Sequence, residues 1–250
     1  MDRSSMTDTP GLLHSLAHKI GLTAKRCLVC GVVMGSSEHM CESCTAAIPL
    51  RTGGYCPTCG LMSGRTDSPP SQCPECRLNP PPWDALYFHG QHADVLRELI
   101  ISYKFNNNFG RSHFLSTLAC TTFQAQHTRM PDIIVPVPLH TRRLLWRGFN
   151  QSLEISKIIG KTFELPVLKD GLTRIRNTPP QTRFGHKERM ENIKNAFAAR
   201  AKCMAGKTVL LVDDVYTTGA TLRECARTVK QAGALGVDIL VLARTQQESS

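Results

Sequence analysis

Two groups of residues in this chain have types and spacing that could do chemistry. The first is eight of its eleven cysteines, all before residue 77 and all in C-x-x-C pairs: Cys27 and Cys30, Cys41 and Cys44, Cys56 and Cys59, Cys73 and Cys76. A C-x-x-C knuckle presents two thiolates to one ion, and two knuckles complete a tetrahedral Zn²⁺ site. Four pairs therefore predict structural zinc, one or two ions. Sequential pairing would join 27, 30, 41 and 44 in one site and 56, 59, 73 and 76 in another; the spacing also allows cross-braced pairing, or one site that has lost its metal. Glycines follow Cys30 and Cys59, where the knuckle turn wants a residue tolerant of positive φ. The alternative, a disulfide framework, needs an oxidising compartment, and the N-terminal residues carry no export-signal pattern. The second group is "VLLVDDVYTTGAT", Val209 to Thr221. Here an apolar run meets two adjacent carboxylates, Asp213 and Asp214, and then hydroxyls around a glycine.

Those carboxylates repel one another and are costly to bury, so they need an external role or strong partners. A strand ending at Val212, then a turn, then a helix from about Thr221 would leave unpaired backbone N–H groups at the helix start, which suits a phosphate. Thr217, Thr218 and Thr221 add hydroxyls, and Gly219 allows close approach. Beside this cradle, Asp213 and Asp214 can accept hydrogen bonds from vicinal hydroxyls. A sugar phosphate offers both features at once; the plainer alternative is that the pair are turn and capping residues.

The elements that must position these residues read as an α/β chain. Trp83 to Phe88, 132 to 140, 208 to 212 and 237 to 244 read as strands. Residues 93 to 105, 114 to 126, 150 to 163 and 221 to 234 have helical spacing. Alternation of this kind implies a largely parallel sheet covered on both faces, with ligands beyond the carboxyl ends of its strands. Three prolines at 80 to 82 mark a boundary. The expected organisation is an N-terminal tail or short helix over 1–24, a cysteine module over 25–80 and the α/β domain over 83–250. The stretch from about 170 to 205 is basic and weakly periodic, and reads as a functional loop or an excursion from the sheet. Cys120 and Cys225 read as small core residues.

Charge is concentrated. The chain carries +10, and the segment Thr141 to Lys207 has 15 Lys and Arg against 5 Asp and Glu, which accounts for the whole excess. This predicts a polyanionic partner. Arg142, Arg143 and Arg147 cluster before a helix. Arg174, Arg176, Arg183, Lys187 and Arg189 populate the following loop. Trp146, Phe149 and Phe184 lie among them, as bases stacking on a single-stranded nucleic-acid site would require, or as core anchors. No apolar run reaches the roughly 18 residues of a membrane helix, so no membrane insertion is expected.

The stretch Val209 to Thr221 resembles the phosphoribosyl-pyrophosphate (PRPP) signature of type I phosphoribosyltransferases. By that resemblance, Asp213 and Asp214 hold the ribose hydroxyls and are the catalytic pair. Val215 and Thr217, Thr218, Gly219, Ala220 and Thr221 form the 5′-phosphate site, the turn at Pro138 meets the pyrophosphate, and Mg²⁺ accompanies PRPP. Hypoxanthine-type members carry an acidic base where this chain has Thr217; orotate-type and adenine-type members also lack it. The wider similarity is to the ComF family, through "VPVPLHTRRLLWRGFNQS" and the Arg176, Thr178, Gln181, Arg189, Asn192 and Phe197 pattern, preceded by paired knuckles. It implies a cytoplasmic protein of natural transformation. Such a protein would handle incoming single-stranded DNA, with a DNA-uptake helicase or another competence protein as partner. Active phosphoribosyl transfer in nucleotide or base salvage is the alternative.

Overall fold

The computed structural model describes residues 26–35, 39–106, 109–176 and 193–246. Arg183, Lys187, Arg189 and Phe184 lie outside the described residues, as do Thr178, Gln181, Asn192 and the whole 1–24 segment. The chain forms two compact units, Met1–Ala47 and Ile48–Ser250, so the first cysteine tetrad belongs to one and the second to the other. In the smaller unit, Cys27 N–H donates to Val32 and Gly31 N–H to Cys27, closing a knuckle whose glycine has φ 73°. Helix α1 (Glu42–Ala46) follows, with Cys41 at its N-cap position and no side-chain capping bond.

The larger unit carries α2 (Pro74–Leu78), β1 (Ala85–Gln91), α3 (Asp94–Asn106), α4 (Phe109–Gln126), β2 (Ile133–Pro136) and α5 (Thr141–Arg147). It continues with α6 (Gln151–Thr162), β3 (Leu172–Arg174), β4 (Phe197–Ala199), α7 (Ala201–Met204), β5 (Thr208–Tyr216), α8 (Ala220–Gln231) and β6 (Gly236–Arg244). The main sheet has the order β1-β6-β5-β2, and every pairing in it is parallel. The central strand β6 is buried at all nine positions, which is why its sequence does not alternate. Ile133, Val135, Val209, Leu211, Val237 and Ile239 share a core with Leu222, Cys225, Ala226 and Val229 of α8. The opposite face is covered by α4 and α6, with Tyr87 edge-on to Phe123 at 5.7 Å between centroids.

One expectation is corrected. Strand β5 does not end at Val212. Its register with β2 ends at Pro136↔Val212, with Val137 N–H donating to the Val212 carbonyl at 2.9 Å as the last bond, but its pairing with β6 runs on through Asp213↔Val241 to Tyr216↔Arg244. Both aspartates are therefore strand residues. The described part of 170–205 is an excursion from the main sheet: β3 and β4 pair antiparallel with each other, Leu172↔Ala199 to Arg174↔Phe197, and Phe197 and Leu172 join the core. Among the described residues no helix is long and apolar enough to cross a membrane.

Candidate functional site

The carboxyl ends of β2 and β5 open onto a cavity of about 510 Å³. Its lining includes Asp213, Asp214, Val215, Thr217 and Thr221 from the β5–α8 connection, and Pro138 from the turn after β2. Arg143, Trp146 and Arg147 of α5, Gln151 and Ser152 of α6, Arg174 of β3 and Lys104 of α3 complete it. Thus Asp213, Asp214, Val215, Thr217, Thr221 and Pro138 of the expected ribose-phosphate corner share one cavity with Arg143 and Arg147, whereas Thr218, Gly219 and Ala220 do not line it. Arg142 and Arg176 do not line it: both are exposed, Arg142 in the first turn of α5 and Arg176 with its guanidinium on the Lys194 carbonyl.

The carboxylates are held by partners that spacing did not reveal. Ser152 Oγ donates to Asp213 Oδ1 at 2.9 Å, and so does the backbone N–H of Asp214, also at 2.9 Å. Lys104 Nζ lies 3.0 Å from Asp214 Oδ2. Ser152 is aimed by its place at the start of α6, where Asn150 caps the helix by accepting from Ser152 N–H at 3.0 Å and donates to the Val137 carbonyl at 3.1 Å. The Asn-Gln-Ser sequence carried that capping signal; nothing local marked Lys104. Asp213 keeps an opening to the cavity, yet its carboxyl is largely enclosed by protein atoms. That burial, then the charge of Asp214, pushes it up to about 7 against the opposing hydrogen bonds and Lys104.

Beyond the strand, Gly219 has φ 76°, and a Cβ there would meet Tyr216 Cε2 at 2.1 Å. Only glycine lets the turn lie flat on that ring and start α8 at Ala220. The helix start has no side-chain cap, and a space of about 30 Å³ bounded by Asp213, Thr217, Gly219 and Thr221 sits in the turn. Thr218 Oγ1, Arg147 Nε and Gln151 Nε2 are buried without a hydrogen-bond partner among the described residues. On the far wall the guanidiniums crowd each other. Arg143 is lowered by burial and then by Arg147; Arg174, 8% exposed, is pulled down to about 10 by burial and then by Arg143. Donors left over, and cations pressed together, are the electrostatics of an anion site. Trp146 is 70% exposed at its rim, so it is no core anchor; Phe149 instead packs on Tyr103 at 5.3 Å.

The cysteines gather as two sequential tetrads, 27–30–41–44 and 56–59–73–76, each with its Sγ atoms within 4.8 Å of one another. Cys30 to Cys41 is 3.7 Å and Cys59 to Cys73 is 3.8 Å. Tetrahedral Zn–S bonds of about 2.3 Å put sulfurs roughly 3.8 Å apart, so both sets fit a Zn²⁺ ion. Thiols this close compete for protons: the hydrogen bond from Cys59, then the N–H of Cys73, draw Cys56 down to about 4, while Cys59 is pushed up.

Known proteins agree with this architecture. Residues 151–249 match the phosphoribosyl transferase domain model, which places the β5–α8 corner in a phosphoribosyl transferase domain. The chain is 30% identical over 226 residues to competence protein F of Haemophilus influenzae, covering 88% of this chain and 96% of that protein. It is 34% identical over 214 residues to the DNA utilization protein YhgH of Escherichia coli, covering 82% and 90%. It is 26% identical over 219 residues to competence protein ComFC of Bacillus subtilis, covering 83% and 85%. The chain belongs to the ComF family.

Proposed function

We propose that this protein binds PRPP or a related ribose phosphate at the β5–α8 corner and handles incoming single-stranded DNA during DNA uptake in the cytoplasm. The observation that carries the reading is the single cavity in which Asp213, Asp214, Thr217 and Thr221 face Arg143, Arg147 and Arg174. The 5′-phosphate sits on the uncapped start of α8, with Thr217, Thr218 and Thr221 hydroxyls and the backbone of Gly219 and Ala220 around it. The ribose hydroxyls donate to Asp213 and Asp214. Mg²⁺ supplies charge neutralisation to a diphosphate, and Asp213 and Asp214 are the carboxylates this cavity offers it. Zn²⁺ holds each cysteine tetrad.

An internal deoxynucleotide has no 2′-hydroxyl and an esterified 3′-oxygen, so it does not match the carboxylate pair. The strand therefore belongs on the outer rim, over Trp146 and the arginines of α5, with exposed Arg176 as a further cation; Arg183, Lys187 and Arg189 are proposed as strand contacts from the sequence alone. Competitive titration tests the arrangement. PRPP, whose diphosphate reaches Arg143 and Arg147, displaces a labelled oligonucleotide, whereas ribose 5-phosphate leaves it bound. Displacement by neither compound, with both binding, separates the sites and contradicts the shared cavity. The relatives' names support DNA uptake, and a competence protein or uptake helicase is the protein partner this reading calls for.

A second reading, catalytic transfer of the pentose phosphate to an acceptor, is favoured by the Asp213 carboxyl standing near 7 at the reacting corner. Pyrophosphate release from PRPP across a panel of bases, with Asp214→Ala as control, decides it.

A further inference from the structure

Arg244, the last residue of β6, is 6% exposed. Its Nε donates to the Cys59 carbonyl at 3.0 Å and its Nη1 to the Thr217 carbonyl at 3.0 Å. The guanidinium carbon lies 4.2 Å from the centroid of Tyr216, the ring on which Gly219 rests. One buried cation thus grips a cysteine of the second tetrad at one end and the first threonine of the anion turn at the other. Holding the Thr217 carbonyl has a direct consequence: in a trans peptide the next N–H points the opposite way, so Arg244 aims the Thr218 N–H away from itself.

The knuckle is bolted down on the same side. Three consecutive carbonyls face the sheet: Pro57 accepts from Leu86 N–H at 2.9 Å, Thr58 from Trp83 Nε1 at 2.6 Å, and Cys59 from Arg244. Trp83 in turn stands edge-on to Tyr216 at 6.0 Å. Gly60, with φ 68°, lets the chain approach so closely that a Cβ would lie 3.0 Å from Leu86 Cδ2 and 3.3 Å from Arg244 Cγ. An ion in the tetrad fixes Cys59, and Cys59 fixes one end of the guanidinium.

We propose that Arg244 is a positioning residue that couples metal occupancy of the Cys56–Cys59–Cys73–Cys76 tetrad to ribose-phosphate affinity at the Thr217–Thr221 turn. The proposal rests on the ribose-phosphate reading above. Coupling of this kind is reciprocal in affinity: metal strengthens ligand binding and ligand strengthens metal binding by the same factor, and we take the second effect to be expressed as slower metal release. The first tetrad, Cys27 to Cys44, serves as the internal reference.

The test uses the full-length, metal-loaded protein. Transfer of Zn²⁺ to a chromogenic chelator is followed with and without saturating ribose 5-phosphate, whose binding is measured separately by calorimetry. The phase that disappears in Cys30→Ser is that of the first tetrad. The expected result is that ribose 5-phosphate slows the second-tetrad phase about fivefold or more and leaves the first unchanged. Arg244→Met removes the slowing, and Arg244→Lys, which keeps one charged donor, restores part of it. A purely structural arginine would alter release equally in both conditions and leave their ratio intact. If Arg244→Met does not fold, the wild-type ratio and the lysine variant decide. Calorimetric binding with no effect on the second phase overturns the coupling alone; no binding to the metal-loaded wild type overturns both the coupling and the ribose-phosphate reading.

Discussion

Ser152 Oγ donates to Asp213 Oδ1 across 2.9 Å, joining the start of α6 to the carboxyl end of β5. The bond stabilises ionised Asp213, but it does not outweigh burial and the adjacent Asp214, which together raise the carboxyl to about 7. Between the unfolded value near 4 and the folded value, the native state keeps a proton that the unfolded chain has released. This contribution to stability is complete below the unfolded pKa and is lost as pH rises through about 7. Asp213→Asn cannot ionise. Its melting temperature should exceed that of the wild type at pH 8.5, and the gap should narrow as pH falls to 6. A gap that stays constant over that range contradicts the burial account.

Trp146 is 70% exposed, so its removal has little folding cost, whereas base stacking on an aromatic is worth about 1 to 3 kcal/mol. Trp146→Ala should weaken oligonucleotide binding roughly five- to 150-fold, with ribose 5-phosphate affinity and melting temperature nearly unchanged. Arg143→Gln should instead flatten the salt dependence, by about 0.7 in the log–log slope for each DNA phosphate that the arginine neutralises. Equal affinities for wild type and Trp146→Ala remove the rim from the strand's path.

The two tetrads should hold two Zn²⁺ ions per chain by elemental analysis, one of which remains in Cys30→Ser. Structural zinc contributes on the order of 10 kcal/mol to folding of small modules, so stripping the metal should lower the melting temperature by many degrees. A protein without metal, whose titratable thiols are only those of Cys120, Cys203 and Cys225, would instead support a disulfide framework.

Much of this was legible in the sequence because it is local. The C-x-x-C spacing specified knuckles, and the apolar runs at 208–212 and 237–244 specified buried parallel strands. The rest depends on partners distant in sequence. Strand β5 extends to Tyr216 because β6 continues beside it, and no property of Asp213 or Asp214 predicted that. Lys104 meets Asp214 from 110 residues away, on a helix whose periodicity reports only its buried face. In the sequence Arg244 is only the last residue of the 237–244 strand; its carbonyl partners Thr217 and Cys59, 27 and 185 residues distant, are visible only in the fold.

Calorimetric titration of ribose 5-phosphate into the metal-loaded protein, beside Gly219→Val, tests the central claim most directly. A side chain at 219 must displace the Tyr216 ring and hold a positive φ, a strain of about 1 to 3 kcal/mol placed at the proposed phosphate turn. The account predicts saturable one-to-one binding by the wild type and an affinity at least tenfold weaker in the variant. Absence of binding by the wild type, or equal affinity in a folded Gly219→Val, would contradict it.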